Sequence, residues 1–186
     1  MRLNRFIKEE QIDLHFEPLV EVRDEWDSQV EEVAEVPDGE LTRNQHLANK
    51  EKILRALVAL LEKSERITNP KKCATDLYHR ELKASTGLGN GLAIPHVRTL
   101  QAKQFVIAVA RAPEPGLWFD AIDEEPVRLF VCMVAPNHDD RFYLKVERTL
   151  AKHFMEGGEN ELKEQLLAAD DPGEIIRILG DAIDET

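Results

Sequence analysis

A chain of 186 residues, 42% of them hydrophobic and 32% charged, is long enough to fold as one domain with a full core. Its formal charge of −12 argues against nucleic acid as a partner, because a phosphate backbone selects for clustered lysine and arginine. No apolar run approaches the ~18 residues that span a bilayer, and the start, MRLNRFIKEE, lacks the hydrophobic region of a signal peptide. We therefore expect a single-domain cytoplasmic protein, residues 1–186, with no direct membrane insertion.

An acidic segment follows the N-terminal stretch. Residues 12–16 alternate apolar and polar side chains, which is typical of a half-buried strand. Nine acids and one base then lie between Glu21 and Glu40. We interpret about 21–49 as an acidic insertion, either a solvated loop or a docking surface for a partner, and Trp26 with two valines leaves open a short amphipathic helix.

Two helices are predicted before the middle of the chain. Apolar residues recur at helical spacing from about Ala48 to Ser64 and predict the first helix. Asn69 followed by Pro70 is an N-cap and first-turn pair, so a second helix should run from Pro70 to about Leu82. This second helix brings Arg80 close to the segment that follows it.

The segment ELKASTGLGNGLAIPHVR, residues 81–98, carries the clearest functional signal. It contains two hydroxyl residues followed by three alternating glycines: Ser85, Thr86, Gly87, Gly89 and Gly91. Glycine can adopt φ > 0 and lets backbone N–H groups approach an oxyanion. The apolar run at 92–94 predicts a short buried strand that should stop at Pro95. His96 is thus predicted at a strand end, beside a loop able to hold a phosphate.

The second half of the chain predicts two strands and three helices. The predicted strands are Phe105 to Ala110 and Val127 to Val134, and a turn or short hairpin over 112–126 joins them. The predicted helices are Leu144 to Phe154, Asn160 to Ala169, and one that begins at Asp171–Pro172 and runs through Ile183. Helices before, between and after strands predict an α/β or α+β sandwich. Two widely spaced cysteines, Cys73 and Cys132, are predicted to be reduced core thiols.

Several chemistries are excluded by motif. The pattern G-x-G-x-G is followed by a strand, so it is not a dinucleotide fingerprint, and neither a P-loop nor a G-x-S-x-G elbow occurs. The six histidines have no metal-ligand spacing, so a metal site would need ligands from distant segments. A lone histidine is usually structural. Phosphoryl chemistry remains open, because neutral imidazole is a nucleophile near pH 7 and Arg80 could neutralise a phosphate held at His96.

From about Phe6 to the C-terminus the chain resembles a fructose/mannitol-type enzyme IIA domain of the bacterial phosphoenolpyruvate-dependent phosphotransferase system, particularly the nitrogen-regulatory branch. The motifs that carry the resemblance are LYHREL, S-T-G-x-G-x-G-x-A-I-P-H and LWFDAIDEEPVRLFVCMVAP. The resemblance implies an α/β fold with a mixed sheet flanked by helices on both faces. It also implies that His96 accepts a phosphoryl group from the phosphocarrier HPr or a paralogue, with no metal or other cofactor, and that Arg80 stabilises the phosphate.

The resemblance leaves two readings open. In transport members the group passes on to a IIB domain, whereas regulatory members use the phosphorylation state to change partners; no IIB or membrane segment is fused here, so we expect regulation. Ser85, Thr86, Gly87 and Gly89 are then expected to orient the phosphate. The alternative is an interaction module that no longer transfers phosphate efficiently.

The chain departs from the family pattern in two places, and the first of them, at Tyr143, motivates that alternative. The family usually has a second histidine at the start of the helix after the V-A-P strand, where this chain has Tyr143. A phenol can donate a hydrogen bond but offers no imidazolium charge. His138 could compensate for this loss. The acidic insertion at about 21–49 is the second departure, and it could be a partner surface.

Overall fold

Residues 3–18, 42–138, 141–155 and 161–184 are described by the structure, a computed structural model. The strands are β1 (Ile12–Asp13), β2 (Gly87–Gly89), β3 (Leu92–Ala93), β4 (His96–Arg98), β5 (Val106–Arg111) and β6 (Leu129–Ala135). The helices are α1 (Arg43–Glu62), α2 (Pro70–Glu81), α3 (Arg141–Met155), α4 (Glu161–Ala168) and α5 (Pro172–Asp184). Within the described ranges, no helix combines the length and apolar character needed to cross a membrane.

The strands form one mixed sheet in the order β1-β5-β6-β3-β2, and β4 also pairs with β6. β5 and β6 are antiparallel, while β3 and β4 both run parallel to β6, at successive positions along it. Every residue of β6 is buried. A strand covered on both faces needs no polar alternation, which explains the continuous apolar run that predicted it.

Alternate residues of the central strands enter two different cores. Ile107 and Met133 belong to the core that also contains residues of α3, α4 and α5. Ala108 and Cys132 point the other way, into the core built with α1 and α2. This period of two follows from strand geometry. The predicted mixed sheet with helices on both faces is confirmed.

The N-terminal caps explain where three helices begin. Asn69 Oδ1 accepts from Lys72 N at 3.0 Å, and Asp171 Oδ1 accepts from Glu174 N at 2.9 Å, so both predicted starts are confirmed. The predicted start of α1 at Ala48 is wrong. The helix begins at Arg43 because the Thr42 hydroxyl and the Gln45 side chain form a capping box.

Other predictions concern shorter segments. Residues 43–49 of the predicted insertion lie in α1, and 19–41 lie outside the described residues. The N-terminal strand is only two residues long, because His15 N donates to Asp13 Oδ1 at 2.9 Å and turns the chain. The hairpin over 112–126 is confirmed by a bridge between Leu117 and Val127.

Both cysteines are buried free thiols, as predicted. Burial, together with the nearby Asp76 carboxylate, raises the pKa of Cys73 to about 12. Burial also raises the pKa of Cys132 well above its ordinary value. The thiolate is therefore strongly disfavoured at both positions, which argues against nucleophilic chemistry there.

Candidate phosphoryl-acceptor site

His96 stands where the backbone passes from one partner position on β6 to the next. β3 stops at Ala93, before Pro95 as predicted, and His96 opens a new strand by pairing with Met133. The break between β3 and β4 leaves the Ile94 carbonyl free of the sheet ladder, and it accepts from His96 Nδ1 at 2.8 Å. A proline that interrupts the ladder therefore also orients the imidazole ring.

The two ring nitrogens of His96 have different surroundings. A carbonyl oxygen can only accept, so Nδ1 carries a hydrogen, and in the neutral ring Nε2 then holds the lone pair. Nε2 lies 3.0 Å from Arg80 Nη2 and 3.3 Å from Glu147 Oε1. The His96 side chain is 14% exposed and lines a cavity of about 680 Å³. Nε2 is thus the ring nitrogen that contacts the other cavity-lining side chains, Arg80 and Glu147.

Arg80 is held from two sides. It lies in the last turn of α2, where Nη1 donates to the carbonyl of Ala84 at 2.9 Å and Nη2 approaches His96. Arg80 therefore lies beside the imidazole, as expected from its position at the end of the second predicted helix. A guanidinium fixed at one end still presents further N–H donors, in the fork that matches phosphate oxygens.

Tyr143 and Glu147 reach the cavity from α3. The two residues are four apart on the helix and so share a face, and the Tyr143 and His96 ring centroids are 6.2 Å apart. Burial raises the pKa of the Tyr143 phenol, the Glu147 carboxylate raises it further, and Arg80 and Arg98 lower it. The phenol is therefore uncharged at neutral pH. We call Arg80, His96, Tyr143 and Glu147 the His96 cluster.

Sequence reasoning did not find Glu147. Its side chain is 33% exposed, and its Oε1 lies 3.3 Å from Nε2 of His96. The usable signal was its spacing of four from Tyr143, because residues at i and i+4 lie on one face of a helix. His138, by contrast, is exposed and is not among the residues that line the cavity.

A second cluster lies behind Arg80, which we call the Lys50 cluster: Lys50, Glu81, Ser85, Thr86 and Asp120. Lys50 Nζ lies 3.2 Å from Glu81 Oε1 and 3.1 Å from Asp120 Oδ2. The same Nζ donates to Ser85 Oγ at 3.2 Å. Glu81 also accepts from the backbone N and the hydroxyl of Thr86, at 2.7 and 2.6 Å. These bonds hold the loop at 81–86, whose Ala84 carbonyl in turn holds Arg80.

Lys50 was also missed by sequence reasoning. It precedes Ile53, Leu54 and Leu57 at helical spacing, so it belongs to the apolar face of α1 and is 2% exposed. A lysine in that position requires a buried anion, and Glu81 provides it.

The predicted phosphate loop makes different contacts. Ser85 Oγ donates to the Asp120 carbonyl at 2.6 Å, and a Cβ added to Gly87 would lie 2.7 Å from Ala121 Cα. Gly89 has φ +87°, and the turn after it is held where Asn90 N donates to Asp123 Oδ2 at 2.7 Å. The structure brings Arg80, His96 and Tyr143 together and leaves the remaining predicted residues outside the cavity lining: Ser85, Thr86, Gly87 and Gly89. A phosphate-binding role for these four stays a prediction.

The described residues that line the cavity carry more basic than acidic groups, although the chain is acidic. The cations are those of Lys72, Lys83, Arg80 and Arg98, and the carboxylates among these described lining residues are Asp76 and Glu147. Cations gathered in a cleft raise the local concentration of anions. In the described part of the chain, no group of three or more His, Cys, Asp or Glu residues is arranged to hold a metal ion.

Residues 37–182 match the family described as phosphoenolpyruvate-dependent sugar phosphotransferase system, EIIA 2. The chain belongs to this family. Membership makes it a component of a phosphotransferase system, with a phosphoryl-carrier or a regulatory role.

Relatives of this EIIA 2 chain include both sugar and regulatory components. It is 28% identical over 137 residues to the fructose-specific EIIA component of Haloferax volcanii, covering 74% of this chain and 86% of that protein. It is 28% identical to the nitrogen regulatory protein of Shigella flexneri, covering 81% and 90%. It spans only 20% of the longer fructose-specific EIIABC component of Bacillus subtilis.

Solved structures show the same EIIA fold. The nitrogen regulatory protein IIA-Ntr of Neisseria meningitidis superposes with a TM-score of 0.62 at 33% identity, covering 70% of this chain and 86% of that one. The IIAMTL–phosphorylated IIBMTL complex of Escherichia coli gives a TM-score of 0.62 at 17% identity, covering 94% and 97%, which supports the fold alone.

Proposed function

We propose that this EIIA protein is a phosphoryl carrier that accepts a phosphoryl group from an HPr-like phosphocarrier on Nε2 of His96. The observation that carries the proposal is the contrast between the two ring nitrogens. Nδ1 is bound to the Ile94 carbonyl at 2.8 Å, whereas Nε2 faces the cavity beside the Arg80 guanidinium. A neutral imidazole in this tautomer is ready to act as a nucleophile without losing a proton first.

The proposed transfer accounts for every bond and electron pair, and it needs no proton to move between the two proteins. The lone pair on Nε2 forms the new N–P bond, while the N–P bond on the donor histidine breaks and its electron pair returns to the donor nitrogen. The acceptor ring becomes cationic and keeps its hydrogen on Nδ1, where the Ile94 carbonyl accepts it. A hydrogen bond to a charged donor is stronger than one to a neutral donor, so this contact stabilises the phosphorylated ring.

Arg80 is proposed to stabilise the phosphate during transfer. Its Nη2 is already 3.0 Å from the nitrogen that bonds to phosphorus, so a short rotation brings its N–H groups onto the equatorial oxygens. Lys72 and Lys83 line the same cavity and favour the approach of an anionic phosphoryl group. Phosphoryl transfer depends mainly on positioning and charge neutralisation, both of which these groups provide.

The proposal includes two routes for the group after His96. One is a IIB domain, which accompanies the IIAMTL protein in the Escherichia coli complex. The other is a regulatory partner that reads the phosphorylation state, and the 33% identity to the Neisseria nitrogen regulatory protein favours this route. We further propose that the protein acts in the cytoplasm and that the acidic segment at about 21–49 is a surface for that partner.

Labelling with radioactive phosphoenolpyruvate, enzyme I and HPr tests the carrier function. We expect acid-labile, base-stable label on the wild-type protein and none on His96→Ala. His138→Ala is the matched control, because it removes an imidazole that does not line the cavity, and we expect it to take full label. Label that persists in His96→Ala would overturn the assignment.

A second candidate is an interaction module that keeps the fold and has lost transfer. The observation that favours it is Tyr143, whose uncharged phenol lies where the family usually places a second imidazole. Wild-type protein that takes no label from HPr, while still binding it, would support this second function instead.

A further inference from the structure

Arg80 and Glu147 require opposite states of the same nitrogen. The Arg80 guanidinium can only donate, so its 3.0 Å contact with His96 Nε2 needs a lone pair there. A Glu147 carboxylate can only accept, so its 3.3 Å contact with Nε2 needs a hydrogen there. One nitrogen cannot satisfy both at once. The contact of the Glu147 carboxylate with Nε2 therefore competes with the contact of Arg80, which needs the lone pair used in the proposed transfer.

Glu147 also stands where the phosphoryl group must go. The oxygens of a phosphoryl group on Nε2 carry about −1.5 to −2 charges, only partly offset by the cationic ring, at the position that the carboxylate now approaches. Tyr143, one turn earlier on α3, is neutral and offers no compensating charge. The Glu147 side chain is 33% exposed and lines the open cavity, so its carboxylate can turn towards water. Even after turning, it stays on the face of α3 that carries Tyr143 and borders the cavity with His96.

We propose that Glu147 is a displaceable carboxylate that stands beside Nε2 in the unloaded protein and repels the phosphoryl group in the loaded one. The proposal rests on the carrier function proposed above and adds a regulation of that site. Like charges a few ångströms apart destabilise one another. Glu147 thus raises the tendency of phosphorylated His96 to give up its group, either to the next partner or back to the donor.

The equilibrium between phosphorylated HPr and phosphorylated His96 measures this effect. The two proteins are mixed with a limiting amount of phosphoryl groups, and the share on each is counted after separation. We expect Glu147→Gln to shift the ratio about tenfold towards phosphorylated His96, a magnitude typical of a partly screened charge pair. Glu147→Asp keeps the charge and should stay close to the wild-type ratio.

Two controls separate this effect from a change in fold or in overall charge. Glu164→Gln removes an exposed carboxylate from α4 and is expected to leave the ratio unchanged. Equal thermal midpoints for Glu147→Gln and wild type are expected, since the amide has the same shape as the carboxylate. A wild-type ratio in Glu147→Gln, or a shift towards phosphorylated HPr, overturns the role of Glu147 while His96 labelling stands. If the wild-type protein takes no label, the carrier function itself fails and this role fails with it.

Discussion

Arg80 and Glu81 are neighbours in the last turn of α2, yet they enter two clusters of different character. Glu81 belongs to the Lys50 cluster, where the paired side chains of Lys50 and Glu81 are 2% and 1% exposed. Arg80 belongs to the His96 cluster, where the His96 and Glu147 side chains are 14% and 33% exposed. Two consecutive residues of α2 thus place their charges in different surroundings. The Glu81 carboxylate lies in the core, and the Arg80 guanidinium lines an open cavity.

The difference in burial separates charged groups with a structural role from charged groups that can change their contacts. In the Lys50 cluster, Glu81 is paired with Lys50 and also accepts two hydrogen bonds from Thr86. If either charged group moved away, the other would remain buried without its partner. In the His96 cluster, contacts to Nε2 can be exchanged for water or a phosphate, because the groups are partly solvated. We infer that the first cluster holds the loop still while the second changes partners.

The largest expected effect comes from breaking the Lys50 cluster. Lys50→Met leaves the Glu81 carboxylate buried without its cation, which should lower the free energy of unfolding by ~3–5 kcal/mol. Urea denaturation measures the loss. Lys63→Met removes an exposed lysine at the end of the same helix and should change stability by less than ~0.5 kcal/mol. Equal stability of the two variants would show that the buried ion pair does not support the loop.

Breaking the His96 cluster should affect the rate of transfer and leave stability nearly unchanged. Arg80→Lys keeps a positive charge but loses the planar fork, so we expect phosphorylation by HPr to slow by about a hundredfold. Rapid-quench labelling measures the rate. Arg148→Lys, an exposed position on α3, is the matched control and should transfer normally. If Arg80→Lys also transfers at the wild-type rate, bidentate recognition by Arg80 is the wrong account.

The smallest expected effect comes from the phenol. Tyr143→Phe should change the phosphorylation rate by about threefold or less, since it removes at most one hydrogen bond from a group that is already neutral. Because burial and Glu147 raise the pKa of Tyr143, the phenol stays protonated from about pH 6 to 9. The pH profiles of the two proteins should therefore run parallel over that range. A profile that changes shape in Tyr143→Phe would mean that the hydroxyl titrates during transfer.

Local signals in the sequence predicted much of this architecture. Asn69–Pro70 and Asp171–Pro172 set helix starts because a cap is made by residues three apart. The apolar run of β6 predicted a central strand for an equally local reason. Arg80 was placed beside His96 by the end of α2 and by family resemblance together. The capping box at Thr42 was readable in the same way, but the prediction followed the apolar period, which starts later.

Local signals in the sequence do not predict contacts between residues that are far apart in the chain. The spacing of four from Tyr143 places Glu147 on one face of α3, but the contact of its carboxylate with an imidazole on β4 depends on how α3 packs against the sheet. Lys50 presents the same difficulty, since its partner Glu81 comes from another helix. A G-x-G-x-G pattern is compatible with a phosphate loop and with a tight hairpin. Here the space beside Gly87 is filled by Ala121, which only the tertiary structure reveals.

The most direct test of the central claim is to identify which nitrogen of His96 carries the phosphoryl group. Protein with ¹⁵N-labelled histidine is phosphorylated by HPr and followed by ¹⁵N and ³¹P NMR. The hydrogen bond from Nδ1 to the Ile94 carbonyl predicts phosphorus on Nε2 and a hydrogen retained on Nδ1. Phosphorus on Nδ1, or on a histidine other than His96, would contradict the account.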